Sequence, residues 1–230
     1  MRKILMTIAF FTLILHSFAY INIYPTTFDK AIDDGNGAKS FYLSNTTKYP
    51  VAYRIYMEKT GEKKDMTDWI EYYPKSIKLD VGETKEIKVQ ITAPAGIEKG
   101  EYISNFVVKE VENPFQKRKE TGAKLKIYTE LKMEIAGYVG GVEPKFQVSN
   151  LKISDGKIEG KIKNISEIRS KIEIYLSDGK DEKYLGSTRL LAGGEKELSE
   201  FKVDRIDKKY KNIIIRDSEG KLLTSMKIKE

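Results

Sequence analysis

Leu125-Lys126-Ile127-Tyr128-Thr129-Glu130-Leu131-Lys132-Met133-Glu134-Ile135 places an apolar or small residue at every second position, and Lys or Glu at most positions between. A period of two is the pattern of a β-strand with one buried and one solvated face. At about a dozen residues, 124–136, the run is about twice the usual strand length. The same alternation recurs in Phe41 and Leu43, in Val51, Tyr53, Ile55 and Met57, and in Ile87, Val89 and Ile91. Turn signals separate these runs: Asp34-Gly35-Asn36-Gly37, Val81-Gly82-Glu83, Pro94-Ala95-Gly96, Asp155-Gly156, Asp178-Gly179, Gly193-Gly194 and Glu219-Gly220. No long stretch carries a helical period. Short strands at this spacing predict an all-β chain built as β-sandwiches.

The long run ends at Gly137-Tyr138-Val139-Gly140-Gly141-Val142-Glu143-Pro144, whose three glycines and proline mark the best domain boundary. Two immunoglobulin-like sandwiches in tandem are expected, over residues 20–140 and 141–230. The halves share an echo. Phe41-Tyr42-Leu43-Ser44-Asn45 and Gly160-Lys161-Ile162-Lys163-Asn164 each alternate, end in Asn and lead into a second apolar strand. Both Asn residues fit the Asn-x-Ser/Thr glycosylation pattern, but Asn at a strand end more simply bonds nearby backbone.

The amino terminus reads as a secretory signal. Met1-Arg2-Lys3 is basic, Ile4 to Leu15 is apolar, and small residues precede a cut after Ala19. The apolar run is short for a bilayer span of about 20 residues. A retained anchor is the alternative, and no later stretch is apolar enough to span. Cleavage removes Arg2, Lys3 and the single His, His16, and lowers the net charge from +7 to +5. The chain has no Cys. Serine–histidine triads, thiol nucleophiles and ordinary zinc sites are therefore excluded from the mature protein, and no metal or cofactor is expected. Lys and Glu alternate along most segments, as on two-sided strands, so the positive balance does not indicate nucleic acid. Gln116-Lys117-Arg118-Lys119 is a weak basic cluster in an expected loop.

A long strand beside the charged stretch Asn113 to Lys124 is placed to lie at a sheet edge, where unpaired backbone groups can accept a partner's strand. Leu125, Ile127, Thr129, Leu131, Met133 and Ile135 are the candidate partner-binding side chains. The other reading is a last strand that completes its own core. Two further groups are weaker. Asp65, Asp68 and Glu71 surround the only Trp, Trp69, as in a carbohydrate or paired-carboxylate site, though a packed connecting segment explains them as well. Asp29, Asp33 and Asp34 near Gly35 lack the spacing of a calcium loop.

Stretches in order along the first half resemble the amino-terminal domain of the PapD-like periplasmic pilus-assembly chaperones. They are Ile23-Tyr24-Pro25-Thr26-Thr27-Phe28, Tyr42-Leu43-Ser44-Asn45, Tyr49-Pro50-Val51-Ala52-Tyr53, the segment from Tyr73-Pro74 to Val81-Gly82-Glu83-Thr84, and Phe106-Val107-Val108-Lys109-Glu110-Val111. The resemblance covers most of residues 20–140. It implies a non-enzymatic periplasmic chaperone that binds an exported pilus-type subunit by lending it the strand 124–136, with an outer-membrane usher as a further partner. The family anchors the subunit's terminal carboxylate with a basic pair, one member on the first strand and one on the subunit-binding strand. Here Tyr20 to Phe28 holds no Arg or Lys. On the later strand Lys132 is a weak candidate anchor, and Glu134 competes for its place. The alternative function is a secreted or envelope-associated binding or structural module for a surface protein or glycan.

Overall fold

The computed structural model describes residues 21–35, 37–62, 64–112, 127–203, 205–207 and 209–228. The expected signal segment, Leu125 and the cluster at Gln116 to Lys119 lie outside them. The first half forms β1 (Asn22–Tyr24), β2 (Asp29–Ala31), β3 (Ala38–Ser44), β4 (Val51–Glu58), β5 (Ile70–Tyr73), β6 (Ser76–Leu79), β7 (Thr84–Ile91), β8 (Gly100–Val111) and β9 (Glu130–Val139). The second half forms β10 (Phe146–Ser154), β11 (Lys157–Asn164), β12 (Ser170–Ser177), β13 (Glu182–Leu190), β14 (Glu195–Glu197), β15 (Asn212–Asp217) and β16 (Leu222–Lys227). Among the described residues the only helical pieces are three-residue 3-10 turns.

Among the described residues, strands of the two halves share no sheet. The first half makes sheets ordered β1-β3-β7-β5 and β2-β9-β8-β4-β6, and the second makes β10-β11-β14 and β13-β12-β15-β16. Each half closes its own core, because the apolar member of each alternating pair turns inward. In the first half Phe41 of β3 stacks on Phe106 of β8 with ring centroids 4.9 Å apart, joining the two sheets. Leu43, Ile55, Leu79, Ile87, Ile91 and Ile135 are buried around them. Burying each such side chain contributes about 1.5–3 kcal/mol against exposure. In the second half Ile162, Ile172, Ile174, Leu176, Ile213 and Ile215 do the same work.

The echo between the halves is a shared hydrogen-bond plug. Asn45 ends β3, and its side-chain amide donates to the carbonyls of Tyr49, Leu79 and Asp80. Its side-chain oxygen accepts from the backbone and hydroxyl of Thr47. Asn164 ends β11 and repeats the scheme with the carbonyls of Ile168, Leu190 and Leu191 and with both donors of Ser166. Both Asn residues are buried. The Ser or Thr that completes the glycosylation pattern is the second half of the plug. The carbonyls belong to Leu79-Asp80 before Gly82 and to Leu190-Leu191 before Gly193, so the two sandwiches close the same corner with the same chemistry.

The glycine-rich segment differs from expectation at its start. Gly137, Tyr138 and Val139 are not linker; they continue β9, and all three are buried. A Cβ on Gly137 would lie 2.7 Å from Ile32 Cδ1 and 3.0 Å from Met66 Sδ. The glycine is there to let a second layer pack on the strand. The chain turns away at Gly140 and Gly141, whose amides donate to the carboxylate of Asp33.

The halves meet on a small apolar patch of Ile103, Ala136 and Tyr138 from the first and Ile168 from the second. Burial pushes the Tyr138 hydroxyl up and keeps it protonated, with Asp29 and Glu101 adding to the effect. It donates to the carbonyl of Arg169.

Candidate functional site: the open edge of β9

The site follows from how the first strands are laid. β1 pairs with β3 in one sheet. After Pro25 to Phe28 the chain has crossed to the other sheet, where β2 pairs in parallel with β9. β2 covers only the last part of β9: Asp29 faces Ala136, Lys30 faces Gly137 and Ala31 faces Tyr138. On its other side β9 is paired with β8 throughout, from Glu130 against Lys109 to Val139 against Gly100. The first half of β9 is therefore an edge, and the second half is interior.

The hydrogen bonds fix which groups the edge presents. Along a strand, successive residues point their N–H and C=O to opposite sides. The Thr129 carbonyl accepts from Glu110 of β8. Ala136 N–H donates to Phe28, and the Tyr138 carbonyl accepts from Ile32, both on the β2 side. Odd residues thus face β8, and Glu130, Lys132 and Glu134 face outward. Among the described residues no backbone partner meets Glu130 or Lys132 there. At Glu134 the edge stops: its carbonyl accepts from the Arg189 guanidinium at 3.2 Å.

The candidate side chains divide along the strand. Ile135 and Met133 are buried in the first sandwich's own core, Ile135 completely. Leu131 is half-buried against that core. Thr129 and Ile127 precede β9, and Ile127 is 72% exposed. One alternating face thus fills the core at its end and leaves it at its start. The residues that leave it lie ahead of the strand, which begins at Glu130.

Lys132 lies on the opposite, outer face. Its ammonium pairs with Glu58 at 2.7 Å and approaches Glu130 at 3.9 Å. The hydrogen bond it donates to the Glu58 carboxylate holds it above the usual lysine range. Glu130 is itself paired with Lys109 at 2.9 Å and is held below the usual carboxylate range, first by that lysine. Glu134 lies one step further toward the second sandwich and pairs with Arg169.

The cations at the junction come from the second sandwich, which the sequence reading did not single out. Arg169 binds Glu101 at 2.7 Å and also reaches Glu134. Burial opposes its charge, but hydrogen bonds to those two carboxylates outweigh the burial and raise its pKa. Arg189 clasps Asp29 of β2 through two nitrogens, one at 2.7 Å, and the Asp29 side chain is almost fully buried. The available signal was the choice of Arg: only seven of the 41 basic residues are Arg, and Arg suits planar, two-pronged pairing with carboxylates.

The weaker groups are committed elsewhere. Asp65 accepts from the amides of Thr60 and Thr67, and Asp68 pairs with Lys59. Trp69 packs on Tyr102 with centroids 4.7 Å apart, at the border of the core. Asp29 and Asp33 hold Arg189 and the turn amides described above. Among the described residues no cluster of acidic side chains is placed to hold a metal.

No family model matches the sequence, and no curated protein matches it. Solved structures do. A structure of the Salmonella enterica SafA pilin in complex with the SafB chaperone is 12% identical over 92% of this chain and 96% of that one, with a TM-score of 0.49. The E. coli chaperone DraB is 10% identical over 92% of this chain and 97% of that one, with a TM-score of 0.48. The Pseudomonas aeruginosa CupB2 chaperone is 9% identical over 88% of this chain and 96% of that one, with a TM-score of 0.43. Each of the three aligns with this chain over most of its length at 9–12% sequence identity.

Proposed function

We propose that this protein is a non-enzymatic, periplasmic chaperone that holds an exported pilus or surface-protein subunit by β-strand addition along the first half of β9. One observation carries the reading. β9 is paired on both sides only from Ala136 onward, so Glu130 and Lys132 offer unpaired backbone groups beside the exposed Ile127 and half-buried Leu131. A subunit sandwich that lacks a strand exposes a groove and two open edges. Adding β9 supplies main-chain hydrogen bonds, while Ile127, Thr129 and Leu131 (with Leu125 ahead of them in sequence) enter the groove at alternate positions. Each aliphatic side chain fully buried there contributes about 1.5–3 kcal/mol before ordering costs. Met133 and Ile135 anchor the strand in the chaperone itself. The expected signal segment and the resemblance in sequence support a periplasmic location, and an outer-membrane usher is the second partner this reading implies. Lys132, already paired with Glu58, would have to exchange that partner to anchor a client's carboxylate.

The test is native capture. The tagged mature protein is recovered from its own cell envelope and its partners are identified by mass spectrometry. A stoichiometric small β-rich subunit that aggregates when released is the expected result. Recovery without any such subunit contradicts the reading.

A second reading has one observation in its favour. Tyr24 and Tyr42 face each other across β1 and β3, and Tyr73 stands on β5 of the same sheet; all three are exposed, Tyr24 and Tyr73 by 72% and 76%. An exposed tyrosine face between polar side chains suits a surface glycan or protein. Retention on cell-wall material that Tyr42→Ala and Tyr73→Ala together abolish would favour this module.

A further inference from the structure

We propose that Arg189 of the second sandwich is a positioning residue that fixes where a partner strand ends on β9, by holding the one outward carbonyl that would let the strand run on toward β2. The inference rests on the proposed function and names the residue that sets the register of the added strand.

Side chains alone do not fix that register. The candidate face repeats at every second position through Ile127, Thr129, Leu131, Met133 and Ile135. A partner strand displaced by two residues keeps the same face toward the same kind of neighbour, so alternation by itself leaves the register open. A stop on the main chain closes it.

The junction supplies such a stop. Outward from β9, Glu130 and Lys132 each offer an N–H and a C=O, and Glu134 offers its N–H; among the described residues none of these meets a backbone partner. Beyond Glu134 the outward groups belong to the β2 side: Ala136 N–H donates to the Phe28 carbonyl at 2.7 Å, and the Tyr138 carbonyl accepts from Ile32 at 3.0 Å. The Glu134 carbonyl lies between the free stretch and the covered one. β2 does not reach it, because the chain before Phe28 leads back to β1 in the other sheet. Arg189 Nη2 takes it instead, at 3.2 Å. The guanidinium stands where the next N–H of an added strand would stand.

Arg189 is fixed in that place. Its Nε donates to Asp29 at 2.7 Å and its Nη2 to the other carboxylate oxygen. The Asp29 side chain is buried, and Asp29 opens β2 in register with Ala136. Glu134 is gripped a second time, through its carboxylate, by Arg169, which also binds Glu101. The second sandwich therefore holds the last open residue of the edge by both its side chain and its carbonyl. A planar guanidinium fork can serve a carboxylate and a carbonyl together, and its hydrogen bonds are charge-assisted. A neutral N–H from a partner gains less from the Glu134 carbonyl than this cation does, so the stop holds against the partner. One task of the second sandwich is to end the edge.

The subunit recovered by native capture, bound to the mature full chain, is the probe. Asp29→Asn with Arg189→Ala removes the stop without leaving a lone buried charge. The expected result is one further protected amide in the bound subunit's strand by hydrogen exchange, and release about fivefold slower, the worth of one added hydrogen bond. Far-UV circular dichroism checks the fold. If the double variant is unfolded, Arg189→Lys replaces it: the ammonium keeps a charge beside Asp29 but lacks the fork, and the same added protection is expected. A merely structural role for Arg189 would loosen the junction and leave the subunit's protected amides as they are. Unchanged protection, or release as fast as from the wild type or faster, overturns the inference while capture by the wild type leaves the proposed function standing. A wild type that captures no subunit contradicts that function and the inference with it.

Discussion

Arg189, on β13 of the second sandwich, donates to the backbone carbonyl of Glu134 on β9 of the first, at 3.2 Å. The same guanidinium holds the buried carboxylate of Asp29 on β2. One side chain thus ends the open edge and ties both neighbouring strands to the second sandwich. Arg189→Ala leaves Asp29 charged, buried and unpartnered, which costs about 3 kcal/mol. Asp29→Asn combined with Arg189→Ala is expected to cost less than Arg189→Ala alone. Chemical denaturation of the wild type, Arg189→Ala, Asp29→Asn and the double variant measures this, and strictly additive losses would contradict the pairing.

The two Asn plugs make a matched pair of predictions. Asn45→Ala removes the amide donor shared by the carbonyls of Tyr49, Leu79 and Asp80 and the acceptor of the Thr47 amide, at a cost of about 2–3 kcal/mol. Asn45→Asp is expected to be worse, because it turns a carboxylate oxygen toward three carbonyls. Asn164 should behave alike, with the loss confined to the second sandwich. Thermal melts of Asn45→Asp against Asn45→Ala settle the order; equal melting temperatures would show that the amide donors contribute little.

Opposite ends of one alternating face should respond oppositely to the same change. Ile127→Asp puts a charge where the side chain is already exposed, so the melting temperature should stay within about 2 °C of wild type. Ile135→Asp puts a charge into the first core and should unfold that sandwich. Circular dichroism melts of both variants check this. A destabilised Ile127→Asp would mean that Ile127 packs in the chain's own fold.

Much of this architecture is legible in the residues themselves. Period-two alternation marks Phe41 and Leu43, Ile87 to Ile91 and Leu131 to Ile135 as strands with one buried face, and all lie so. The strand-ending Asn45 and Asn164 are visible too, but not that each spans to a second corner some 26 or 34 residues away, at Leu190 and Leu79. That depends on which strands become neighbours. The crossing between β1 and β2, which leaves half of β9 open, has no local signal, because Pro25 to Phe28 read as any short connection. Gly137 reads as linker because glycine is the commonest turn residue, whereas here it admits Ile32 and Met66 onto a strand. Arg169 and Arg189 stay hidden for the same reason as the crossing: their partners Glu101, Glu134 and Asp29 are brought near only when the two halves dock.

The central claim is that the outward backbone of β9, rather than its side chains alone, holds the partner. Lys132→Pro removes one outward N–H and leaves every bond to β8 intact, and proline is tolerated on a sheet edge. Leu131→Pro removes an inward N–H and should disrupt the sheet. The deciding measurement is native subunit capture by Lys132→Pro, beside Lys132→Ala to account for the lost ion pair with Glu58. The account predicts a folded Lys132→Pro that captures nothing and a Lys132→Ala that still captures. Full capture by a folded Lys132→Pro would contradict strand addition at this edge.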